Sequence, residues 1–360
     1  MVKDSLALRA KNKLMDLVGK VDSRLEVFWE KEIEKDFGYD MEQKKLVKRM
    51  LSHAWEHNLR TGKRLRASFV YYGYLLGGKK VTEGVWLAME AVELVHTALL
   101  IHDDFMDEDK LRRGKITTQE YFASGDKHFG ESMAVNTGDA VLCLGYERLM
   151  SCGLNEGKVG EAMRWLLKGI TQTAFGQAYD MGLTKMDKVG SENIIALHKA
   201  KTALYTYETP LMIGAILGGV DEQVKKLLTE YSMTGGVAFQ MQDDILGVFG
   251  DSQETGKSND SDLLQGKHTL LTTRLMEVGS EEQKKALSRV WGKKKAGKED
   301  LNLAKQAIKD SGAYDYSVKV ARELMEQSLR TVDEMRQLMV NMEAVDYLEG
   351  IARYLLKREV

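Results

Sequence analysis

Apolar residues recur at three- and four-residue spacing through Val85, Ala88, Met89, Val92, Val95 and Leu99, and again through Leu227, Tyr231, Val237, Met241 and Ile245. That spacing is helical. The first stretch, roughly 85–107, also carries Leu87, Ala91, Leu94, Ala98 and Ile101 between the members of its stripe, so it is apolar nearly all round and predicts a central helix. Alternating polar and apolar runs joined by Asn-Gly or Asp-Gly turns, the signature of hairpins, are missing. Breaks fall at GYLLGGKK (73–80), LRRGK (111–115), FGDSQETGKSNDSD (249–262) and WGKKKAGKED (291–300). None has the length or low complexity of a domain linker, and no repeat of about 20 to 50 residues recurs. The pattern predicts one all-α domain over residues 1–360.

Composition strengthens this reading. A single proline in 360 residues leaves almost nothing to interrupt helices, and 43% hydrophobic residues supply a large core. With 52 Lys and Arg against 54 Asp and Glu, the net charge of -2 gives no global field for nucleic acid or anionic lipid, so any basic site is local. The first thirty residues contain no uninterrupted apolar segment of signal-peptide type, and the apolar run at 209–220 is too short to span a bilayer. A soluble, cytoplasmic protein without a transmembrane segment is expected. Cys143 and Cys152 lack metal-site spacing and read as reduced core residues.

The chemistry begins where the central helix ends. Five acids occupy the seven positions 103–109. Asp103 and Asp107, four apart, share one helical face with their stems roughly 6 Å apart, where two like charges repel and lose hydration. A lone DxxxD reads as a solvated helix end. Here a second apolar helix also ends in an acid pair, Asp243 and Asp244 of QMQDDILGVFGD, and the recurrence argues for a site. Oxygen donors with no His or Cys beside them suit a hard cation, and Mg²⁺ in particular keeps waters and is completed by substrate phosphates. Counter-charges stand in RTGKRLRA (60–67) and at Arg112, Arg113, Lys201, Lys257 and Lys267; Gly62, Gly256 and Gly266 each precede a lysine, where backbone can approach an anion. Any one of these reads as a surface basic patch. Together with the two acidic clusters they suggest two diphosphate sites, one bridged by metal and one held by Arg and Lys alone.

Taken in order, GKRLR (62–66), DDFMD (103–107) with RRG (112–114), GQAYD (176–180), KTA (201–203), FQMQDD (239–244) and GKHT (266–269) closely resemble the motifs of the short-chain trans-isoprenyl diphosphate synthases. The resemblance runs from about residue 20 to the C-terminal YLEGIARYLLKRE. It implies an all-α bundle around a deep central cavity, usually a homodimer, which condenses isopentenyl diphosphate head-to-tail with an allylic diphosphate. By that resemblance Asp103, Asp107 and Asp243 ligate three Mg²⁺ ions on the allylic diphosphate, and Arg112, Lys201, Lys257 and Lys267 bind its oxygens. Lys63, Arg66, His96 and Arg113, with the backbone of Gly62, hold isopentenyl diphosphate without metal. Oxygens around Lys201, Thr202 and Gln240 face the developing carbocation. Gln177 and Asp180 are supporting candidates, and Asp104, Glu108 and Asp109 have supporting or solvated roles.

Three positions depart from the family pattern: Gly247 stands where many members carry a third acid, Ala67 where Pro is frequent, and Thr61 where Gly is common. Small Ala98, beside Leu99 and upstream of Asp103, favours a cavity deep enough for geranylgeranyl diphosphate (C20), with farnesyl or longer products as alternatives. A terpene cyclase would not need the metal-free GKRLR site. A non-catalytic helical subunit would be expected to have lost motif residues, and both Asp pairs are present.

Overall fold

The computed structural model describes residues 2–60, 62–186, 188–250, 260–293 and 295–356. The described residues are 79% helical, in keeping with the expected all-α class. It opens with α1 (Val2–Ile33), α2 (Met41–Leu59), α3 (Leu65–Leu75) and α4 (Glu83–Met106). A hairpin of two short strands follows, β1 (Leu111–Arg112) and β2 (Lys115–Ile116), then α5 (Thr118–Ala123), α6 (Lys127–Met150), α7 (Glu156–Leu183) and α8 (Ser191–His198). A π-helix (Lys199–Glu208) leads into α9 (Thr209–Gly218) and α10 (Glu222–Phe249). The remainder is α11 (Ser261–Leu264), α12 (Leu270–Val278), α13 (Glu281–Ser288), α14 (Lys298–Asp310), α15 (Ala313–Met335) and α16 (Met342–Leu356).

The hairpin was not expected at LRRGK. Arg113 (φ 53°) and Gly114 (φ 75°) both adopt positive φ at its tip, as a two-residue type I′ turn requires, and Leu111 pairs with Ile116, Arg112 with Lys115. Arginine is a poor signal for that turn, because a side chain with Cβ is strained in the left-handed region. Its side chain must be held by partners to stay there.

The chain forms two compact units. In the unit of Lys11–Leu166 with Pro210–Val220, α4 is the core helix. It is long and apolar enough to cross a membrane by length and composition, but 72% of that stretch is buried inside the protein, the mark of a core helix. Its faces differ. One packs on α6, where a Cβ added to Gly145 would lie 2.6 Å from Val95 Cγ2 and one added to Gly138 would lie 2.1 Å from His102 Nε2, so the glycines set the approach.

A second face of α4 corrects the reading of an all-round apolar helix, because Glu90, Glu93, Thr97 and Asp104 are buried along it. Each has a partner. Glu90 pairs with Arg24 and Arg148, Glu93 with Arg64 at 3.0 Å, and Thr97 accepts from Asn58 Nδ2 at 2.6 Å. Asp104 meets His57 and Arg112. The remaining stripe keeps partial exposure at His96, Leu99, Leu100 and Asp103 and ends on the exposed Asp107.

The other unit comprises Met1–Ala10, Leu167–Thr209 and Asp221–Val360. There α10 packs on α15 and on the π-helix, and the wholly buried Tyr231 donates its hydroxyl to Leu348 O of α16 at 2.9 Å. Ile245 and Val248 at the end of α10 join Leu263, Leu271, Leu275 and Ile308 in one apolar cluster. That cluster anchors the end of α10 where the second acid pair sits.

Candidate functional site

The first acid pair divides by face. Asp103, 23% exposed at its side chain, lies in the last turn of α4 and the exposed Asp107 caps it, both at the negative end of the helix dipole, and that turn contains no basic residue. Such a place is unfavourable for two carboxylates until a cation joins them. Asp104 points into the protein instead. His57 Nε2 lies 3.3 Å from its Oδ2 and Arg112 Nε donates to its Oδ1 at 2.6 Å, while Arg112 Nη2 also reaches Asp103 Oδ2 at 3.3 Å. Burial works against the Asp104 charge, but His57 and Arg112 outweigh it and hold the carboxyl below its usual range.

Beyond the hairpin stands a cluster of cations. Arg113 Nη1 donates to Arg60 O at 2.7 Å, and a Cβ on Gly62 would lie 3.2 Å from that same nitrogen. Burial, then the neighbouring charges of Arg64 and Arg112, bring the Arg113 guanidinium down to about 10. His96 is driven well below its ordinary value by burial and by Arg66, Arg113, Arg64 and Arg112. Arg64 is structural, bonded to Asp22 at 2.7 Å and to Glu93. Lys63 is exposed and Arg66 half-buried. The structure thus brings Gly62, Arg66, His96 and Arg113 into one positive neighbourhood that favours an anion.

In the other unit the π-helix carries Lys201 and Thr202, and glycines admit it on two sides: a Cβ on Gly176 of α7 would lie 3.0 Å from Lys201 N, and one on Gly236 of α10 would lie 2.5 Å from Ala203 Cα. Lys201 pairs with Asp180 at 3.0 Å. Thr202 donates to Gln240 Oε1 at 2.9 Å, and Gln240 Nε2 donates to Asp244 Oδ1 at 3.0 Å. Asp244 is buried, with His198 Nε2 3.1 Å from Oδ2 and Lys267 Nζ 3.1 Å from Oδ1, whereas its neighbour Asp243 keeps partial exposure. Burial opposes the Asp244 charge; Lys267, His198 and Gln240 hold the carboxyl far down nonetheless. Burial likewise opposes the charge on Lys267, which Asp244 and then Asp262 push up. Lys257 lies outside the described residues.

Two further positions that the sequence singled out, Gly247 and Ala98, can be placed. A Cβ on Gly247 would lie 2.5 Å from Asp262 Oδ2, so the space of a side chain at 247 is filled by the Asp262 carboxylate, itself 3.7 Å from Lys267. Ala98 is fully buried, one turn from Val95 and from His102 and so on the side of α4 that meets α6; Leu99 belongs to the partly exposed stripe. What the sequence did not reveal is the pair of buried histidines, since His57 and Asp104 stand 47 positions apart and His198 and Asp244 belong to different helices. The doubled Asp was the one available signal.

A family model described as polyprenyl synthetase matches residues 48–309, more than half of the chain. The chain belongs to the polyprenyl synthetase family. This polyprenyl synthetase is 33% identical to the geranylgeranyl diphosphate synthase of Saccharolobus solfataricus over 82% of the chain and 86% of that protein. It is 30% identical to the geranylfarnesyl diphosphate synthase of Aeropyrum pernix over 89% of the chain and 98% of that protein. Among solved structures, the geranylgeranyl pyrophosphate synthase of Corynebacterium glutamicum, complexed with isoprenyl diphosphate and magnesium, is similar at a TM-score of 0.82 and 25% identity, covering 99% of both chains. The polyprenyl synthetase is therefore an all-α prenyl-transferring enzyme. Among its described residues no three or more His, Cys, Asp or Glu side chains gather as a metal cage. Paired accessible carboxylates without such a cage fit Mg²⁺, which keeps waters and shares phosphate oxygens, better than an ion needing a closed protein shell.

Proposed function

We propose that residues 1–360 act as one catalytic domain that condenses isopentenyl diphosphate head-to-tail with an allylic diphosphate to give geranylgeranyl diphosphate. The observation that carries this reading is the presence, in one unit, of two unlike anion-binding arrangements: accessible acids Asp103 and Asp107 at the end of α4, and the cation cluster of Arg66, Arg113 and Gly62 around His96. One suits a diphosphate with metal and the other a diphosphate without.

Asp103, Asp107 and Asp243 are the proposed Mg²⁺ ligands, three ions in all. Bound Mg²⁺ would neutralise the departing diphosphate and so ease ionisation of the allylic C–O bond. Arg112, Lys201, Lys257 and Lys267 bind the oxygens of that diphosphate; Lys63, Arg66, His96, Arg113 and the Gly62 backbone bind isopentenyl diphosphate. Arg is suited to the second task because its planar fork bonds two phosphate oxygens. The oxygens of Thr202 and Gln240, with the Lys201 carbonyl, present negative partial charge to the allylic cation, and their mutual hydrogen bond fixes their direction. The diphosphate product takes the proton, so no side chain serves as general base.

The C20 product is supported by Ala98 and by the relatives named for geranylgeranyl diphosphate. The same reading has a homodimer at work in the cytoplasm, and the exposed Phe129, Val135 and Met150 of α6 support a partner-covered face. The decisive experiment is incubation of purified protein with Mg²⁺, radiolabelled isopentenyl diphosphate and each allylic primer, followed by sizing of the products. C20 product is expected; absence of incorporation with every primer overturns the reading.

A further inference from the structure

The two units contain the same small construction, built from unrelated stretches of chain. In each, the second aspartate of a doubled pair is buried, its Oδ2 faces a histidine Nε2, and its Oδ1 receives a cation. For Asp104 the partners are His57 of α2 at 3.3 Å and Arg112 of β1 at 2.6 Å; for Asp244 they are His198 of α8 and Lys267, both at 3.1 Å. Both histidines come from a helix other than that of the aspartate, and they are 2% and 4% exposed. The Nδ1 atom of each has no hydrogen-bond partner among the described residues.

We propose that His57 and His198 are positioning residues for the two diphosphate-binding cations Arg112 and Lys267, acting through the Asp104 and Asp244 carboxylates. A carboxylate accepts on two oxygens and turns readily about its terminal torsion, so left alone it takes an arginine as a two-toothed pair or follows a lysine as it moves. The imidazole Nε2 is set against Oδ2, in a hydrogen bond at Asp104 and in a 3.1 Å contact at Asp244, so the other oxygen is left to face the cation. Arg112 places both Nε and Nη2 on Asp104 Oδ1, while Nη1 bonds to none of the described residues. Lys267 remains 34% exposed at its side chain while bonded to Asp244, which leaves ammonium hydrogens for a ligand.

This inference rests on the proposed binding of the allylic diphosphate by Arg112 and Lys267, and the test separates the two. Inorganic diphosphate is titrated calorimetrically into the full chain with Mg²⁺, and the melting midpoint of each variant is recorded. Gln can bring an amide N–H to the place of the histidine Nε2, whereas Asn carries the same group but falls short. His57→Gln and His198→Gln are expected to bind diphosphate within about twofold of the unsubstituted chain, and His57→Asn and His198→Asn about tenfold more weakly, the size of one charge-assisted hydrogen bond. Equal affinity in the Asn and Gln variants overturns the proposal, as does failure of both Asn variants to fold, which would make the histidines part of the core alone. Arg112→Gln and Lys267→Gln serve as controls: if they leave diphosphate affinity unchanged, the underlying assignment of these cations fails; if they weaken binding and the Asn variants do not, the positioning role alone fails.

Discussion

A Cβ on Gly62 would stand 3.2 Å from Arg113 Nη1. The contact exists because Arg113, strained at φ 53°, is tied back by its bond to Arg60 O. Gly62→Ala should therefore displace the guanidinium by a few tenths of an ångström and raise KM for isopentenyl diphosphate by about tenfold, with little change in KM for the allylic primer. Steady-state kinetics with each substrate varied in turn measure this. Equal rises in both constants would remove Arg113 from the isopentenyl diphosphate site.

The buried histidines make stability depend on pH. His53 stacks on Tyr121 at 4.2 Å, and burial, with the nearby charges of His57 and Arg60, brings it from 6.5 down to about 4. Between those values the unfolded chain binds a proton that the folded chain does not, so stability falls as pH falls through this window. His53 alone should remove about 2 kcal/mol between pH 7 and pH 5. His57, also pushed down by burial, adds to the same trend. Denaturant melts at the two pH values are expected to show a smaller difference for His53→Phe, which retains the stacking; an unchanged difference would acquit His53.

Asp262 occupies the space that a side chain at 247 would enter. Restoring an acid by Gly247→Asp should force two carboxylates together and lower the melting midpoint, with a loss of about 1–3 kcal/mol typical of overpacking. Adding Asp262→Ala to that variant should recover most of the loss. If the double variant is no more stable than Gly247→Asp, the two positions do not compete.

Product length offers a comparison of neighbours. Leu99→Phe, on the partly exposed stripe of α4, is expected to shorten the product with the melting midpoint little changed. Ala98→Phe should also shorten it, but at about 1–3 kcal/mol in stability, because Ala98 is fully buried on the side of α4 that meets α6. Chromatographic sizing and thermal melts of both variants check this. An unchanged C20 product from both would place the cavity floor on another helix.

These tests follow a boundary between what the sequence disclosed and what it did not. Helices α4 and α10 were legible because their apolar periodicity is long, and the acid pairs because they recur at helix ends. The polar face of α4 was not. Glu90, Glu93, Thr97 and Asp104 sit within an apolar sequence and are tolerated there only through partners on distant segments, such as Arg64 and Asn58, which local pattern cannot identify. The Arg113 turn escaped for a related reason, since the bond to Arg60 O that helps hold it crosses 53 positions. The cation cluster was readable as composition in GKRLR and RRG, but the split that leaves Arg64 structural and Arg66 half-buried needed the fold.

The π-helix over Lys199–Glu208 has a consequence for how this chain tolerates change in length. Its wider turn holds more residues per unit of axis than an α-helix, so deletion of one residue there would let the segment relax toward ordinary α-helical winding without cutting the chain path. The same deletion would shift the residues within the segment by about 100° relative to its flanks. Lys201 and Thr202 would then leave Asp180 and Gln240 while the surrounding helices stayed folded. A shortened chain of that kind would be a well-packed protein with its site turned out of register.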